Sequence, residues 1–392
     1  MKKIVYLLLV LLFISDTALG RGWIPIGDFI PRALLFILLA LSLGGNLFNK
    51  TAIFILLYYI FTIFLDLLAG IESNPIGTIV VLFEMLIPFL FFQYIKQKGS
   101  IREINIISKY AIILSFITIV CTIIALQNNP SIARLMASST NFERGLSEIR
   151  EYQRMGVAAY DFSAVVMFFP VLVVAYYKDS KIKKIYMLFC SFLCFFFLYK
   201  VQSSTPMILS IIITAISFFI NDKTNRKFIF QAGIIIVAMT FLFPLFLEIV
   251  APYVGGTAFE NKVTGLTEYM ETGQTSGEVL GRYELYQLSI SSFGQNVLFG
   301  DANAYVGGHS FILDRLAKFG IIGVSLLLYA LCLAFREVYK WLSFPYRWYY
   351  ILCVVALLIF MVTKNVAGMD YWLYMFVFIP CQFKLLENLT IK

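Results

Sequence analysis

Charge is scarce in this chain. Asp, Glu, Lys and Arg supply only 14% of its 392 residues, where a soluble globular protein carries about 25%. Disorder needs the opposite balance, high charge with little apolar mass, and is excluded. The six cysteines (121, 190, 194, 332, 353 and 381) all fall within apolar runs. A secreted disulfide scaffold is therefore excluded as well. Cys190 and Cys194 lie one helical turn apart, but no His or carboxylate nearby in sequence completes a metal site, so they read as packing residues. Histidine occurs once, at position 309. There is no internal repeat, no low-complexity tract and no separate soluble domain.

Apolar mass is abundant. Residues of the AVILMFWYC set make 60% of the chain, with 39 Phe and 23 Tyr, and the mean hydropathy is +0.84. Runs long enough to cross about 30 Å of hydrocarbon recur from end to end. An ordinary soluble enzyme is excluded, and the fold class is an all-α polytopic membrane protein forming a single domain over 1–392. Twelve spans are expected, at 4–19, 33–48, 51–70, 76–95, 106–126, 157–177, 185–199, 206–220, 228–247, 313–335, 348–363 and 371–387. The seventh and eighth are short. The segment Met1 to Gly20 reads as a first anchor. Its two lysines and Thr-Ala-Leu-Gly ending also suit a signal peptide, and either choice leaves the later topology unchanged.

The distribution of cations sets the orientation. With Lys2 and Lys3 inside, the gaps holding Lys96/Lys98/Arg102/Lys109, Lys178/Lys181/Lys183/Lys184, Lys223/Arg226/Lys227 and Arg336/Lys340/Arg347 also fall inside. Nineteen of the 31 Lys and Arg then lie inside, as the positive-inside rule requires, and both termini are cytoplasmic. Lys predominates inside, whereas Arg does outside, as Arg21, Arg32, Arg134, Arg144, Arg150, Arg154, Arg282 and Arg315. Topology needs only positive charge. Arg adds a planar fork that grips phosphate bidentately. The arginines of the first outer loop can equally pair with Glu143, Glu148 and Glu151.

Two outer loops are long, 127–156 and 248–312, and long loops on one face of a bundle are where binding or chemistry is placed. The second is mostly acidic. Within it, residues 278–293 set Leu280, Tyr283, Tyr286, Ile290 and Phe293 at helical spacing, with Glu278, Arg282, Ser289 and Ser292 opposite. That pattern predicts an interfacial helix whose apolar stripe lies on lipid or on the bundle. His309 follows Gly307 and Gly308 just before the tenth span, with Arg315 and Lys318 on the first turns of that helix. A helix start favours anions, and an imidazole there can act as a general base or bind phosphate. A His satisfied by interfacial water is the alternative.

The run Gly-Gly-His309-Ser-Phe-Ile-Leu-Asp314-Arg-Leu-Ala-Lys-Phe-Gly320-Ile-Ile-Gly323 resembles the pattern opening a late membrane helix in bacterial O-antigen polymerases and O-antigen ligases. Gly281-Arg282-Tyr283 followed by Asn296-Val-Leu-Phe-Gly300 is similar to that family's outer loop, and Tyr152-Gln-Arg154-Met-Gly156 to its earlier Arg-x-x-Gly element. Arg134 and Gly145 fit an Arg-to-Gly spacing of some polymerases. One departure is that Ser203-Ser204-Thr205-Pro206 lacks the Arg many relatives carry near the eighth span.

The resemblance implies a membrane glycosyltransferase architecture and a glycan donor on undecaprenyl diphosphate, used at the periplasmic face of the bacterial inner membrane. The acceptor is a lipid-linked repeat unit, and no cofactor or metal takes part. Arg154, Arg282 and Arg315 would hold the diphosphate and His309 would serve the attacking hydroxyl, with Arg134, Arg150, Tyr152 and Lys318 as further contacts. Membrane lipids, a chain-length regulator and a flippase are the implied partners, and nucleic acid is not. An O-antigen ligase with a lipid A–core acceptor shares this chemistry. A flippase or other transporter would instead need ionisable groups at mid-membrane, for which Glu84 is the candidate, with Asp66 nearer the outer end of its span.

Overall fold

The computed structural model describes residues 2–15, 29–71, 75–138, 146–179, 181–220, 260, 264, 265, 267, 268, 277–365 and 368–390. The ninth expected span, 228–247, and most of the loop from 248 to 276 lie outside these residues. All regular structure among the described residues is helical. The helices in chain order are α1 (Lys2–Ser15), α2 (Phe29–Leu43), α3 (Lys50–Leu68), α4 (Pro75–Lys98), α5 (Ile101–Asn128), α6 (Ile132–Ser138), α7 (Leu146–Arg154) and α8 (Ser163–Val166). They continue as α9 (Phe169–Lys178), α10 (Lys184–Lys200), α11 (Ser204–Ser217), α12 (Gly277–Gln295), α13 (Phe311–Trp341), α14 (Tyr346–Thr363), α15 (Met369–Leu373) and α16 (Ile379–Thr390).

Among the described residues, seven helical segments are long and apolar enough to cross a membrane: Phe29–Asn46, Lys50–Leu68, Ile79–Lys98, Ile101–Asn128, Tyr160–Lys178, Phe311–Trp341 and Tyr346–Thr363. Their lateral surface fits that reading. Leu41, Ile60, Phe64, Ile113, Phe116 and Phe192 are all exposed, a continuous apolar load that water would not tolerate and lipid does. The core lies around the last helical stretch, where α15 and α16 are joined through a π-helical turn over Tyr374–Phe378. Met375, Phe376 and Val377 are fully buried there.

Local sequence explains where helices begin. Asn49 caps α3 by accepting the Ala52 N–H at 2.9 Å. Ser100 and Glu103 form a reciprocal capping box at the start of α5, which carries that helix beyond its apolar run. Ser310 caps α13, its hydroxyl accepting the Leu313 N–H at 3.1 Å.

Hydrogen bonds gather the helix ends into two groups. At one end, Glu337 accepts from Thr51 at 2.7 Å, Gln93 at 2.5 Å and Lys96 at 2.9 Å. Lys178 donates to the carbonyls of Phe218 and Ile220, and Tyr346 to Asp179. At the other end, Asn303 reaches the carbonyl of Ala69 at 3.0 Å, Tyr371 that of Asp161 at 3.1 Å, and Tyr286 that of Thr363 at 2.7 Å. The first end carries the lysine-rich segments and the second carries Arg282 and His309.

α13 is two helices, not one. At Gly320 the backbone turns to φ 62° and ψ −170°, which only glycine adopts without strain. The loop before α13 fills the break. Ile321 N–H donates to Val297 O at 2.9 Å, Ile322 N–H to Leu298 O at 3.2 Å, and Asp301 N–H to Ala317 O at 2.9 Å. Backbone groups freed by a break inside a membrane protein need internal partners of this kind. The part from Ile321 to Trp341 is about 31 Å long at 1.5 Å per residue, enough to span by itself. The part from Phe311 to Phe319 is therefore a separate short helix, tied to α3 through Arg315 and Tyr58 and to α12 through Asp314 and Ser289.

Candidate functional site

α12 realises the expected helix over 278–293, extended to Gly277–Gln295. Two of its serines face the protein. Ser289 is buried and donates to Asp314 Oδ1 at 2.7 Å while accepting the Gly307 N–H at 3.0 Å. Ser292 donates to the carbonyl of Tyr305 at 3.0 Å. Leu280, Tyr283 and Ile290 are exposed on the outward side, where an interfacial helix meets lipid. The strip before α13 lies tightly on α12, since a Cβ at Gly307 would come 2.3 Å from the carbonyl oxygen of Leu285. Asp314 thus ties together α12, the glycine strip and the short helix through one serine.

Around that tie sit the cations. His309 is exposed, yet desolvation by its neighbours, then the charges of Lys364 and Arg282, hold its pKa below the ordinary 6.5; Asp314 pulls the other way. Arg282 and Asp314 also act on Tyr286, whose phenol burial pushes above its usual range. Lys364 is fixed by its backbone: its carbonyl accepts the Phe311 N–H at 3.0 Å. Its ammonium stands 5.8 Å from the centre of the Tyr160 ring. A mostly neutral imidazole beside a guanidinium and an ammonium can accept a proton while its neighbours hold an anion.

Arg282 therefore lies within electrostatic reach of His309. Arg154 ends α7 and is exposed, and half-buried Tyr152 in the same turn packs on the core. The chain from them runs through Gly156, at φ 79°, to Tyr160 beneath Lys364. Arg315 and Lys318 turn toward α3. Arg315 donates to the Tyr58 hydroxyl at 3.0 Å and stacks 3.8 Å over the Phe311 ring, while Lys318 lies within electrostatic reach of Asp66. Arg134 and Arg150 fall on α6 and α7, with side chains outside the described residues. Ser203, at the start of the eighth expected span, is buried and shares a 2.7 Å hydrogen bond with Ser163. The chain matches no model of a known protein family and no curated protein. What the cluster can do rests on its geometry.

Sequence reasoning missed Lys364. The available signal was a lysine ending an apolar run on the side where arginine predominates. Glu84 is not an isolated mid-membrane acid. It stands 3.5 Å from Arg32, which is 1% exposed, and accepts the Gly368 N–H at 3.3 Å. A cavity of about 330 Å³ lies between α5, α9, α10 and the final helices and shares no lining residue with the cluster. Its polar neighbours bond to one another, Ser115 to Tyr374 at 2.5 Å and Tyr176 to Gln382 at 2.8 Å, leaving an apolar wall.

Proposed function

We propose that this chain is an O-antigen-type polysaccharide polymerase, a twelve-span inner-membrane glycosyltransferase working at the periplasmic face. The observation that carries the reading is that Arg282 and Lys364 both lie within electrostatic reach of His309, on the strip before α13 at the arginine-bearing end of an apolar helical bundle. Negative charge develops on a diphosphate as its bond to the sugar breaks, and fixed cations stabilise that charge without reorganising. The Arg282 fork suits the leaving group. His309, held neutral, takes the proton of the acceptor hydroxyl as its oxygen bonds to the anomeric carbon. The carbon–oxygen bond to diphosphate breaks in the same step, and the electron pair leaves with the diphosphate. Inversion at that carbon follows from the resemblance. A ligase would use the same donor site with a lipid A–core acceptor. Transport is less well supported, because Glu84 is engaged by Arg32 and a backbone N–H in the manner of a structural ion pair.

The test is incubation of purified protein with undecaprenyl-diphosphate-linked repeat units. A ladder of lengthened lipid-linked glycans is expected. Folded protein that yields no ladder from a matched repeat unit would refute the polymerase reading.

A further inference from the structure

The cavity of about 330 Å³ between α5, α9, α10 and the final helices reaches Ile182, the residue between Lys181 and Lys183 in the turn that leads into α10. Ile112, Phe116 and Cys190 line it and are also exposed on the outside of the bundle. It is therefore a groove that opens sideways, where an apolar bundle meets lipid. Its polar neighbours are occupied. Besides the Ser115–Tyr374 pair, Gln382 accepts the Tyr176 hydroxyl at 2.8 Å and donates to the Ser108 carbonyl at 2.8 Å. Such a wall takes hydrocarbon, because a sugar or a free phosphate would lose its hydration there without gaining partners.

One end of the groove is basic. Lys109 lies one turn before Ile112 on α5, and Lys183 lies two turns before Cys190 at the start of α10. Residues three or seven apart share a helix face, so each lysine extends a wall of the groove toward the lysine-rich end of the bundle. Both are exposed. The acids nearest to them in sequence are engaged, Asp179 by the Tyr346 hydroxyl and Glu103 by the cap of α5. An apolar groove ending in cations complements a molecule with hydrocarbon at one end and an anion at the other, and basic pockets between membrane helices recognise lipid headgroups in this way.

We propose that this groove is a binding site for an anionic phospholipid of the leaflet at the lysine-rich end. One acyl chain runs along Phe116 and Leu193, and the phosphate rests on Lys109 and Lys183. The positive-inside rule makes that leaflet the cytoplasmic one. The site shares no residue with the Arg282–His309 cluster and stands independently of the glycosyltransferase reading. A lipid handled by that cluster carries its phosphate at the opposite end of the bundle, on the wrong side for these lysines.

The experiment releases the full chain from nanodiscs of equal parts phosphatidylglycerol and phosphatidylcholine and counts the phospholipid retained per folded molecule by native mass spectrometry. The wild type is expected to retain phosphatidylglycerol over phosphatidylcholine. K109Q/K183Q should lose about tenfold or more of that preference. R336Q/K340Q, which removes as much charge at the same end but away from the groove, should keep it. V173F, which fills the groove and leaves the lysines in place, should lose the retained lipid. Equal loss from the two charge variants would mean general attraction to a basic surface and overturns the site. Wild-type retention by folded V173F would overturn the place of the acyl chain. Displacement of phosphatidylglycerol by undecaprenyl phosphate at equal or lower concentration would give the groove to a polyprenyl lipid, and also overturns the proposal.

Discussion

The N–H of Ile321 donates to the carbonyl oxygen of Val297 at 2.9 Å, across a break in what reads in sequence as one membrane helix. The loop ending at Gly300 therefore substitutes for a missing helical turn, and the Gly320 conformation is what admits it. A Cβ at Gly320 would meet the Leu298 oxygen at 2.2 Å, on backbone at φ 62°. Gly320→Ala is expected to cost at least about 1–3 kcal/mol from the backbone alone, read as a lower unfolding temperature and a lower folded yield. Gly281→Ala, which meets nothing within 4 Å on α12, should instead gain about 0.5–1 kcal/mol. Equal stability of the two variants would show that the inserted loop does not depend on Gly320.

The Arg32–Glu84 pair yields a second expectation. Glu84→Gln leaves the buried Arg32 cation facing a neutral amide, and removing one partner of a buried pair costs about 3–5 kcal/mol. Folded yield from membranes should fall sharply, while product formed per folded molecule stays near normal. Full abundance with lost function would make Glu84 a transport or catalytic group.

The membrane class and most helix positions were legible because long apolar runs have few alternatives. The expected 348–363 is observed as Tyr346–Thr363, and the expected 51–70 as Lys50–Leu68. Where an apolar run and a helix differ, a cap is the cause: Ser100 and Glu103 start α5 at Ile101, ahead of the expected 106. The break at Gly320 was not legible. Its cause is backbone inserted from residues 297–301, and the local Phe-Gly-Ile-Ile-Gly sequence is as apolar as an unbroken span. The short distance between Arg282 and His309 in sequence made their grouping readable. Lys364 joins them only through the return of α14 to the same end. Arg315 carried the charge expected of a clamp, but the Tyr58 hydroxyl and Phe311 ring that hold it lie on surfaces no spacing could foretell.

Arg282 and Arg315 should consequently respond differently to the same substitution. Arg282→Lys keeps the charge and loses the fork, so polymer formation should drop about tenfold or more at unchanged abundance. Arg315→Lys should lower thermal stability, through loss of the Tyr58 hydrogen bond and the stacked ring, more than it lowers activity per folded molecule. Near-normal polymer from Arg282→Lys would make Arg282 a solvated residue of α12.

The lowered pKa of His309 fixes the sign of a pH effect. The folded chain holds this proton more weakly than the unfolded chain, so the unfolded state takes up more protons as pH falls below 6.5. Stability from the neutral imidazole is complete above that value and is lost between it and the lower folded-state pKa. The wild type should thus lose more unfolding temperature than His309→Gln between about pH 7.5 and about pH 5.5. Activity should fall on the same acid limb if the neutral ring is the base. Identical stability profiles for the two proteins would mean that the ring does not titrate below its ordinary value.

His309→Ala, expressed at normal abundance in the native host, is expected to leave surface lipopolysaccharide carrying one repeat unit and no ladder. The phenotype separates the steps of assembly. If this chain polymerises, other proteins still make, flip and ligate single units, so one unit reaches the core. A ligase that lost His309 would leave the core bare, with finished polymer held on its lipid carrier. A flippase that lost it would leave core and carrier without polymer, because no unit would reach the outer face. The local structure makes alanine a fair substitution, since His309 is exposed and the Gly307–Ser289–Asp314 tie does not pass through its side chain. The strip should hold its shape while the proton acceptor is gone. A complete ladder from the folded variant would remove His309 from the chemistry, and a bare core would assign the chain to ligation.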